Sequence, residues 1–167
     1  LLTAPLLVVL EDIRDPGNLG TIIRTADWFG VKAVLLWGGA DPYQPKVVRA
    51  SMGSFFRVQL QRFSPPASGA PEWLAPVQQA GYQLVVTRPE LAVSSTTPFA
   101  ALHQTAKLAL IFGNESHGTS AALDAAATAS VTIPRYGQAE SLNVAVSVGI
   151  LLQQWRQLGA ADEQTAL

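Results

Sequence analysis

Five polar residues, spread over three short segments of the chain, are of types that can bind or polarise a substrate. They are Asn18 and Arg24 in DPGNLGTIIRTADWFG, Glu115 in IFGNESHG, and Ser141 and Asn143 in IPRYGQAESLNVAVSVGILL. An arginine side chain stays protonated in proteins and presents a planar set of donors that suits phosphate and ribose oxygens. Each residue also has a simpler interpretation, as a solvated charge or a helix cap. The residue types alone leave both interpretations open.

Familiar nucleotide and metal sites are incomplete in this sequence. Gly113 and Gly118 have the separation of P-loop glycines, with Ser120 nearby, but the phosphate-binding lysine is missing. No G-x-G-x-x-G follows an apolar segment, so the dinucleotide-binding fingerprint is not present either. The chain has no cysteine, which excludes a thiol nucleophile and a Cys-ligated zinc ion. The two histidines have no metal-ligand spacing with a carboxylate, and we expect no metal site.

Strand and helix signals alternate along the chain and predict an α/β domain with a largely parallel sheet. Short apolar runs predict five buried strands, LLVVL, AVLLW, QLVVT, LALIF and SVTIP, and FFRVQL predicts a weaker sixth. In the first predicted helix the apolar residues fall on one stripe, with Asn18 as N-cap and Arg24 off the stripe. Ligands of open α/β sheets bind beyond the carboxyl ends of the strands, where these polar segments lie.

The last predicted helix, from about residue 143 to 158, has almost no polar face in its first turns. A helix that is apolar on nearly all sides needs two covered faces. In so small a domain the sheet can cover one face. We expect a second copy of the chain to cover the other.

Composition favours one domain of ordinary charge. The chain has 167 residues, 49% of them hydrophobic, and a net charge of -1, so a globally basic nucleic-acid binder is not indicated. No apolar segment is long enough to span a bilayer and no cleavable signal is present, so we expect a cytoplasmic protein without a membrane segment.

One local stretch could bind RNA. No acidic residue lies between Asp41 and Glu72, whereas four basic residues do, beside three phenylalanines: Lys46, Arg49, Arg57 and Arg62, with Phe55, Phe56 and Phe63. Basic residues interleaved with aromatic rings are typical of single-stranded RNA surfaces. Ordinary solvated charges on a helix and a strand are the alternative.

The three polar segments, with VVRASMGSFFRV after the first, resemble in order and spacing the sequence motifs of the SpoU/TrmH family of the SPOUT superfamily. Its members are S-adenosylmethionine-dependent RNA ribose 2′-O-methyltransferases. The resemblance covers about residues 6 to 155. The sequence differs from the family pattern at Ser116-His117 and Arg135-Tyr136, which bears on substrate choice more than on chemistry.

The resemblance implies features that the residues alone do not predict. The fold would be an α/β knot, a mostly parallel sheet flanked by helices with a C-terminal deep trefoil knot, a rarity among folds. The chain would be a single catalytic domain spanning residues 1–167 and would form a homodimer through its C-terminal helix and knot region. An N-terminal RNA-binding domain, present in many members, would lie outside this chain. The partner would be tRNA or rRNA.

The resemblance also implies roles for individual residues. Arg24 corresponds to the key catalytic residue, and the other polar site positions are Asn18, Glu115, Ser141 and Asn143. We expect Arg24 to stabilise a developing 2′-alkoxide and hold phosphate or ribose, because a guanidinium is a poor general base.

S-adenosylmethionine would be held mainly by backbone groups at Gly113, Ile133 and Leu142. The apolar side chains of Ile133 and Leu142 would cover the faces of its adenine. The lack of cysteine agrees with ribose methylation, since methylation at a pyrimidine C5 usually needs a thiol nucleophile.

Two functions of other classes stay open at this point. One is a non-catalytic RNA-binding or ribosome-assembly module with the same fold. The other is a nucleotide-dependent enzyme that acts on a small molecule in the same strand-end crevice.

Overall fold

The computed structural model describes residues 2–65, 70–88, 99–103 and 107–165. The strands are β1 (Leu6–Glu11), β2 (Ala33–Trp37), β3 (Gln59–Phe63), β4 (Gln83–Arg88), β5 (Leu108–Phe112) and β6 (Ala129–Thr132). The helices are α1 (Pro16–Trp28), α2 (Pro45–Ala50), α3 (Leu74–Gln79), α4 (Phe99–His103), α5 (Ala121–Ala126) and α6 (Val144–Thr165), with a short 3-10 helix, η1 (Ser54–Phe56).

The six strands form one sheet in the order β3-β2-β1-β5-β4-β6, and every pairing among them is parallel. Val8 in the centre lies opposite Val34 on one side and Leu110 on the other. This confirms the predicted α/β fold with a parallel sheet. The chain leaves β1 toward β2 on one side and reaches β5 on the other, so a crevice is expected at their carboxyl ends.

Helices cover both faces of the sheet because successive strand residues point to opposite sides. In β1, Leu6, Val8 and Leu10 pack in the core cluster that also contains residues of α1, α2, α4 and α6. Leu7 and Val9 pack in a second cluster with residues of α3 and α5. All six residues of β1 are buried, as expected for a central parallel strand.

Two of the sequence-based boundaries are wrong. The segment FFRVQL was predicted as a strand, but Phe56 ends η1 and β3 begins only at Gln59. Gly53, with a positive φ of 84°, turns the chain into the 3-10 helix and delays the strand. The predicted N-cap Asn18 is inside α1, whose N-cap is Asp15; the Asp15 carboxylate accepts the Asn18 backbone N–H at 2.7 Å. Pro16 at the first helical position explains the earlier start, since its fixed φ suits that position.

The final helix begins at Val144 as predicted and continues to Thr165. It runs beside α1: Asn143, immediately before it, bonds to Asn18, and Arg156 Nε donates to the Phe29 carbonyl at 2.6 Å. Its buried side chains include Val144, Val148, Leu151 and Leu152, whereas Val146 stays 49% exposed. In the part of the chain that the structure describes, no helix has the length and apolarity that a bilayer crossing requires.

Candidate active site

Asn18 joins the three polar segments through its side-chain amide. Its Nδ2 donates to Glu115 Oε1 at 2.9 Å, and its Oδ1 accepts from Asn143 Nδ2 at 3.0 Å. The partners lie 97 and 125 residues away in the chain, so only the fold brings them together. Three of the five predicted polar residues therefore form one hydrogen-bonded row, which we call the Asn18 network.

Each end of the Asn18 network is fixed by a helix start. Asn143 Oδ1 accepts the backbone N–H groups of Ala145 at 2.9 Å and Val146 at 3.4 Å, so Asn143 caps α6 while its amide nitrogen contacts Asn18. The predicted cap is confirmed, and the same side chain also contacts Asn18. Asp15, at the other helix, fixes the first turn of α1 that carries Asn18.

Glu115 is positioned by a tight loop after β5. Asn114 and Gly118 exchange two backbone hydrogen bonds, of 3.0 and 2.8 Å, across this loop. Gly113 faces the same crossing: a Cβ on Gly113 would overlap the backbone of Gly118 and Thr119. Only glycine fits this position without moving the loop.

Sequence reasoning missed three residues that build this region. Asn114 is buried, and its side chain donates to the Asp12 carbonyl at 2.9 Å and accepts from Ser116 N at 2.8 Å. Glu11 is also buried and accepts the Ser120 backbone N–H at 2.9 Å, which satisfies the start of α5. Arg88 forms an ion pair with Asp124 at 3.1 Å on the wall of the cleft. For Glu11 the sequence did contain a signal, namely a carboxylate at the end of an otherwise apolar strand.

A cleft of about 830 Å³ opens between the loop after β5, the segment after β6 and the start of α6. Its lining includes all three predicted cofactor positions and two of the predicted polar residues: Gly113, Ile133, Leu142, Glu115 and Ser141. Leu142 is 50% exposed at its rim. Thr132 also lines the cleft, and its buried Oγ1 has no hydrogen-bond partner among the described residues. The cleft thus combines apolar surfaces with polar residues, as small-molecule sites do.

Arg24 is the predicted residue that does not join this arrangement. It is exposed, does not line the cleft, and makes no hydrogen bond or ion pair with the described residues. At about 100° per residue, Arg24 lies roughly 120° around α1 from Asn18. Asn18 is on the flank of α1 that faces α6, whereas Arg24 is close to Gly20 and Asp27 on the opposite flank, which contacts α2 and η1. The chain's own Arg24 is therefore turned away from its own cleft.

No group of three or more His, Cys, Asp or Glu side chains suited to a metal ion exists among the residues that the structure describes.

Comparison with known proteins gives matches that cover nearly the whole chain. The chain is 38% identical over 157 residues to the 23S rRNA (guanosine(2553)-2'-O)-methyltransferase RlmP of Bacillus subtilis, covering 93% of the chain and 60% of that protein. The AdoMet-bound rRNA methyltransferase from Sinorhizobium meliloti superimposes with a TM-score of 0.79 at 36% identity, over 92% of this chain and 56% of that one.

The SpoU methyltransferase AviRb from Streptomyces viridochromogenes, in complex with AdoMet, gives a TM-score of 0.79 at 31% identity, over 93% of this chain and 60% of that one. The chain thus spans 56 to 60% of the length of these relatives. The sequence pattern of the SpoU rRNA Methylase family matches residues 5–153, and the chain belongs to that family.

Proposed function

We propose that this chain is the catalytic domain of an S-adenosylmethionine-dependent methyltransferase that modifies a ribose 2′-hydroxyl of rRNA or tRNA. The observation that carries the proposal is the Asn18 network, which joins polar residues of three separate motifs and reaches one cleft through Glu115. Relatives with more than 30% identity methylate 23S rRNA at 2′-O or bind AdoMet, by their descriptions. The alternatives without turnover or with a small-molecule substrate have no comparable support.

The cleft suits a nucleoside cofactor. Ile133 and Leu142 supply apolar surface for a flat ring, and Gly113 keeps the β5 loop close because it has no side chain. S-adenosylmethionine, when bound, provides a methyl group on a positively charged sulfur. We assign its binding to Gly113, Ile133 and Leu142, with Ser141 beside them.

The course of the chain after β6 supports a knot. β6 lies at one edge of the sheet, outside β4 and β5, yet α6 packs beside α1 near the centre. Residues 133–143 must therefore cross the carboxyl ends of β4 and β5, where the loop after β5 stands. Threading through that loop would produce the trefoil knot of the family.

A homodimer would explain why Arg24 is turned away from the cleft of its own chain. Trp28 is 84% exposed, one helical turn after Arg24 on the same side of α1, and Val146 and Leu142 are half-exposed on and before α6. Burial of these apolar side chains against a second copy is favourable. We propose that such a dimer places the partner subunit's Arg24 at this chain's cleft, since the chain's own Arg24 does not line it.

Arg24 would act there through its charge and its donors. It has no hydrogen bond or ion pair within the described residues to break, so its guanidinium is free to hold a phosphate or ribose oxygen. It would stabilise negative charge developing on the 2′-oxygen, while the proton leaves to water or to another group. Glu115 and Asn18 would orient the ribose and the loop.

Methyl transfer from labelled S-adenosylmethionine to total rRNA and tRNA tests this function directly. Nuclease digestion of the product should give a 2′-O-methylated nucleoside. S-adenosylhomocysteine should raise the Tm of the protein, and NAD and ATP should not, because the dinucleotide and P-loop patterns are missing. Stabilisation by S-adenosylhomocysteine without transfer to any RNA would favour the non-catalytic module.

A further inference from the structure

A group of aromatic and basic side chains, most of them exposed, lies on α2, on η1 and just before α2, outside the cleft. We call it the η1 surface and define it by Tyr43, Phe55 and Phe56 with Lys46 and Arg49. Phe56 is 82% exposed, which is unusual for a phenylalanine. Exposed apolar rings rimmed by charges are typical of interaction sites.

The rings of the η1 surface are ordered by their contacts. Tyr43 and Phe55 meet edge to face with centroids 5.5 Å apart, and Phe55 and Phe56 repeat this arrangement at 5.5 Å. Gly53, in the left-handed region at φ 84°, starts the turn that projects Phe56 outward. The face of an exposed ring held in this way is available to a flat partner without reordering the loop.

The charges of the η1 surface favour a polyanion. Lys46 and Arg49 are exposed, and neither has a hydrogen bond or ion pair with the described residues. Arg57, by contrast, is occupied: it bonds Asp27 through Nε at 2.8 Å and pairs with it through Nη2 at 2.6 Å. No acidic residue occurs between positions 41 and 72 of the sequence to repel phosphates.

The η1 surface lies next to Arg24. Gly20 packs so closely on α2 that a Cβ there would overlap Ala50, and Asp27 bonds Arg57 immediately after η1. Residues i, i+4 and i+7 of a helix share one side, so Arg24 lies on the α1 flank between these two contacts. A nucleic acid strand that touches Arg24 is then beside Phe56.

We propose that the η1 surface binds single-stranded RNA that flanks the target nucleotide, with one unpaired base stacked on Phe56 and the adjacent phosphates on Arg49 and Lys46. This inference rests on the proposed function with its RNA substrate, and it adds the location of the RNA strand on the protein. A protein partner is disfavoured, because Lys46 and Arg49 are both positive and the neighbouring Asp41 carboxylate already accepts the Tyr43 backbone N–H. A base needs only a flat ring face, so the contact would tolerate different sequences.

The test is fluorescence anisotropy of the full chain with a labelled, U-rich single-stranded oligoribonucleotide. Phe56→Leu should weaken binding about five- to tenfold, because leucine keeps apolar surface but cannot stack, and Phe56→Trp should retain it. Arg49→Gln should weaken binding and lower the salt slope by about one.

Phe56 is outside the core, so these variants should keep the wild-type Tm and the wild-type mass by light scattering. Unchanged binding by Phe56→Leu would overturn the proposal, as would wild-type protein that binds no single strand up to about 100 µM. A Phe56→Leu protein that loses its dimer would show instead that this surface is a contact between copies. Oligonucleotide binding needs no methyl transfer, so a protein that binds as expected but methylates no RNA refutes only the proposed function.

Discussion

Replacement of Gly113 by alanine tests whether the tight loop after β5 shapes the cofactor cleft. The added Cβ would lie under 3.0 Å from backbone atoms of Gly118 and Thr119, and backbone cannot rotate away as a side chain can. The loop that carries Glu115 must therefore move outward. Overpacking of this kind costs about 1–3 kcal/mol, which in a domain of this size lowers Tm by roughly 3–10 °C. We expect affinity for S-adenosylhomocysteine to fall at least about tenfold, since the displaced loop lines the cleft.

Alanine substitutions at three other glycines separate the effect of atomic overlap from the effect of backbone strain. Gly118→Ala puts a side chain in open space but at φ 72°, so only backbone strain of about 1 kcal/mol is expected. Gly137→Ala has open space and no positive φ and should be nearly neutral. Gly20→Ala overlaps Ala50 and the Val47 carbonyl, away from the cleft, so it should lower Tm without a direct effect on cofactor affinity.

Differential scanning calorimetry and isothermal titration with S-adenosylhomocysteine measure both effects on each variant. The decisive comparison is between Gly113→Ala and Gly20→Ala. If both lose similar stability and both keep wild-type affinity, the close approach of Gly113 does not shape the cleft. A Gly113→Ala protein with unchanged Tm would contradict the packing argument itself.

Substitutions at three further residues test the remaining contacts. Arg24→Ala should abolish methyl transfer and spare S-adenosylhomocysteine binding and the dimer. Arg24→Lys should restore little activity, because lysine lacks the planar set of donors of a guanidinium. Methyl-transfer assays and calorimetric titration measure these effects. Leu142→Arg should weaken cofactor binding first, and mixed Arg24→Ala and Leu142→Arg dimers should regain activity if the partner subunit supplies the arginine. The pKa of Asp27 lies below its usual 3.8 because Arg57 and then Ser54 bond to its carboxylate. The stability that this carboxylate adds to the fold is therefore present above pH 3.8 and is lost as the pH falls through the lowered pKa. Urea unfolding of Asp27→Asn at neutral and acid pH should therefore show a smaller acid-induced loss than wild type.

Local chemistry explains why parts of this fold could be predicted from the sequence. Apolar runs such as LLVVL have no other stable place than a buried parallel strand, and β1 is buried throughout. Asn143 was predicted as a cap and caps α6. Gly113, Ile133 and Leu142 do share one cleft, although that assignment came from the family resemblance.

The features that could not be predicted depend on distant partners. Asn114 looks like an ordinary turn residue until the fold brings the Asp12 carbonyl to its amide. Glu11 is buried because the start of α5, more than 100 residues later, supplies a backbone donor. The boundary at FFRVQL failed because Gly53, two residues upstream, starts a 3-10 helix that includes Phe55 and Phe56 despite their β propensity.

Contacts on the two flanks of α1 fix the angle at which the helix carries Arg24, although Arg24 makes no hydrogen bond or ion pair with the described residues. One flank is fixed by Asn18 against Glu115 and Asn143, and the other by Gly20 and Asp27 against α2 and η1. The helix therefore cannot rotate without breaking contacts on both sides, and Arg24 is carried at a set angle between them. In the proposed function its guanidinium would break no ion pair among the described residues on engaging a phosphate, so no interaction energy would be spent on releasing it. A substitution that loosens either flank should then lower the rate of methyl transfer even when Arg24 itself is intact.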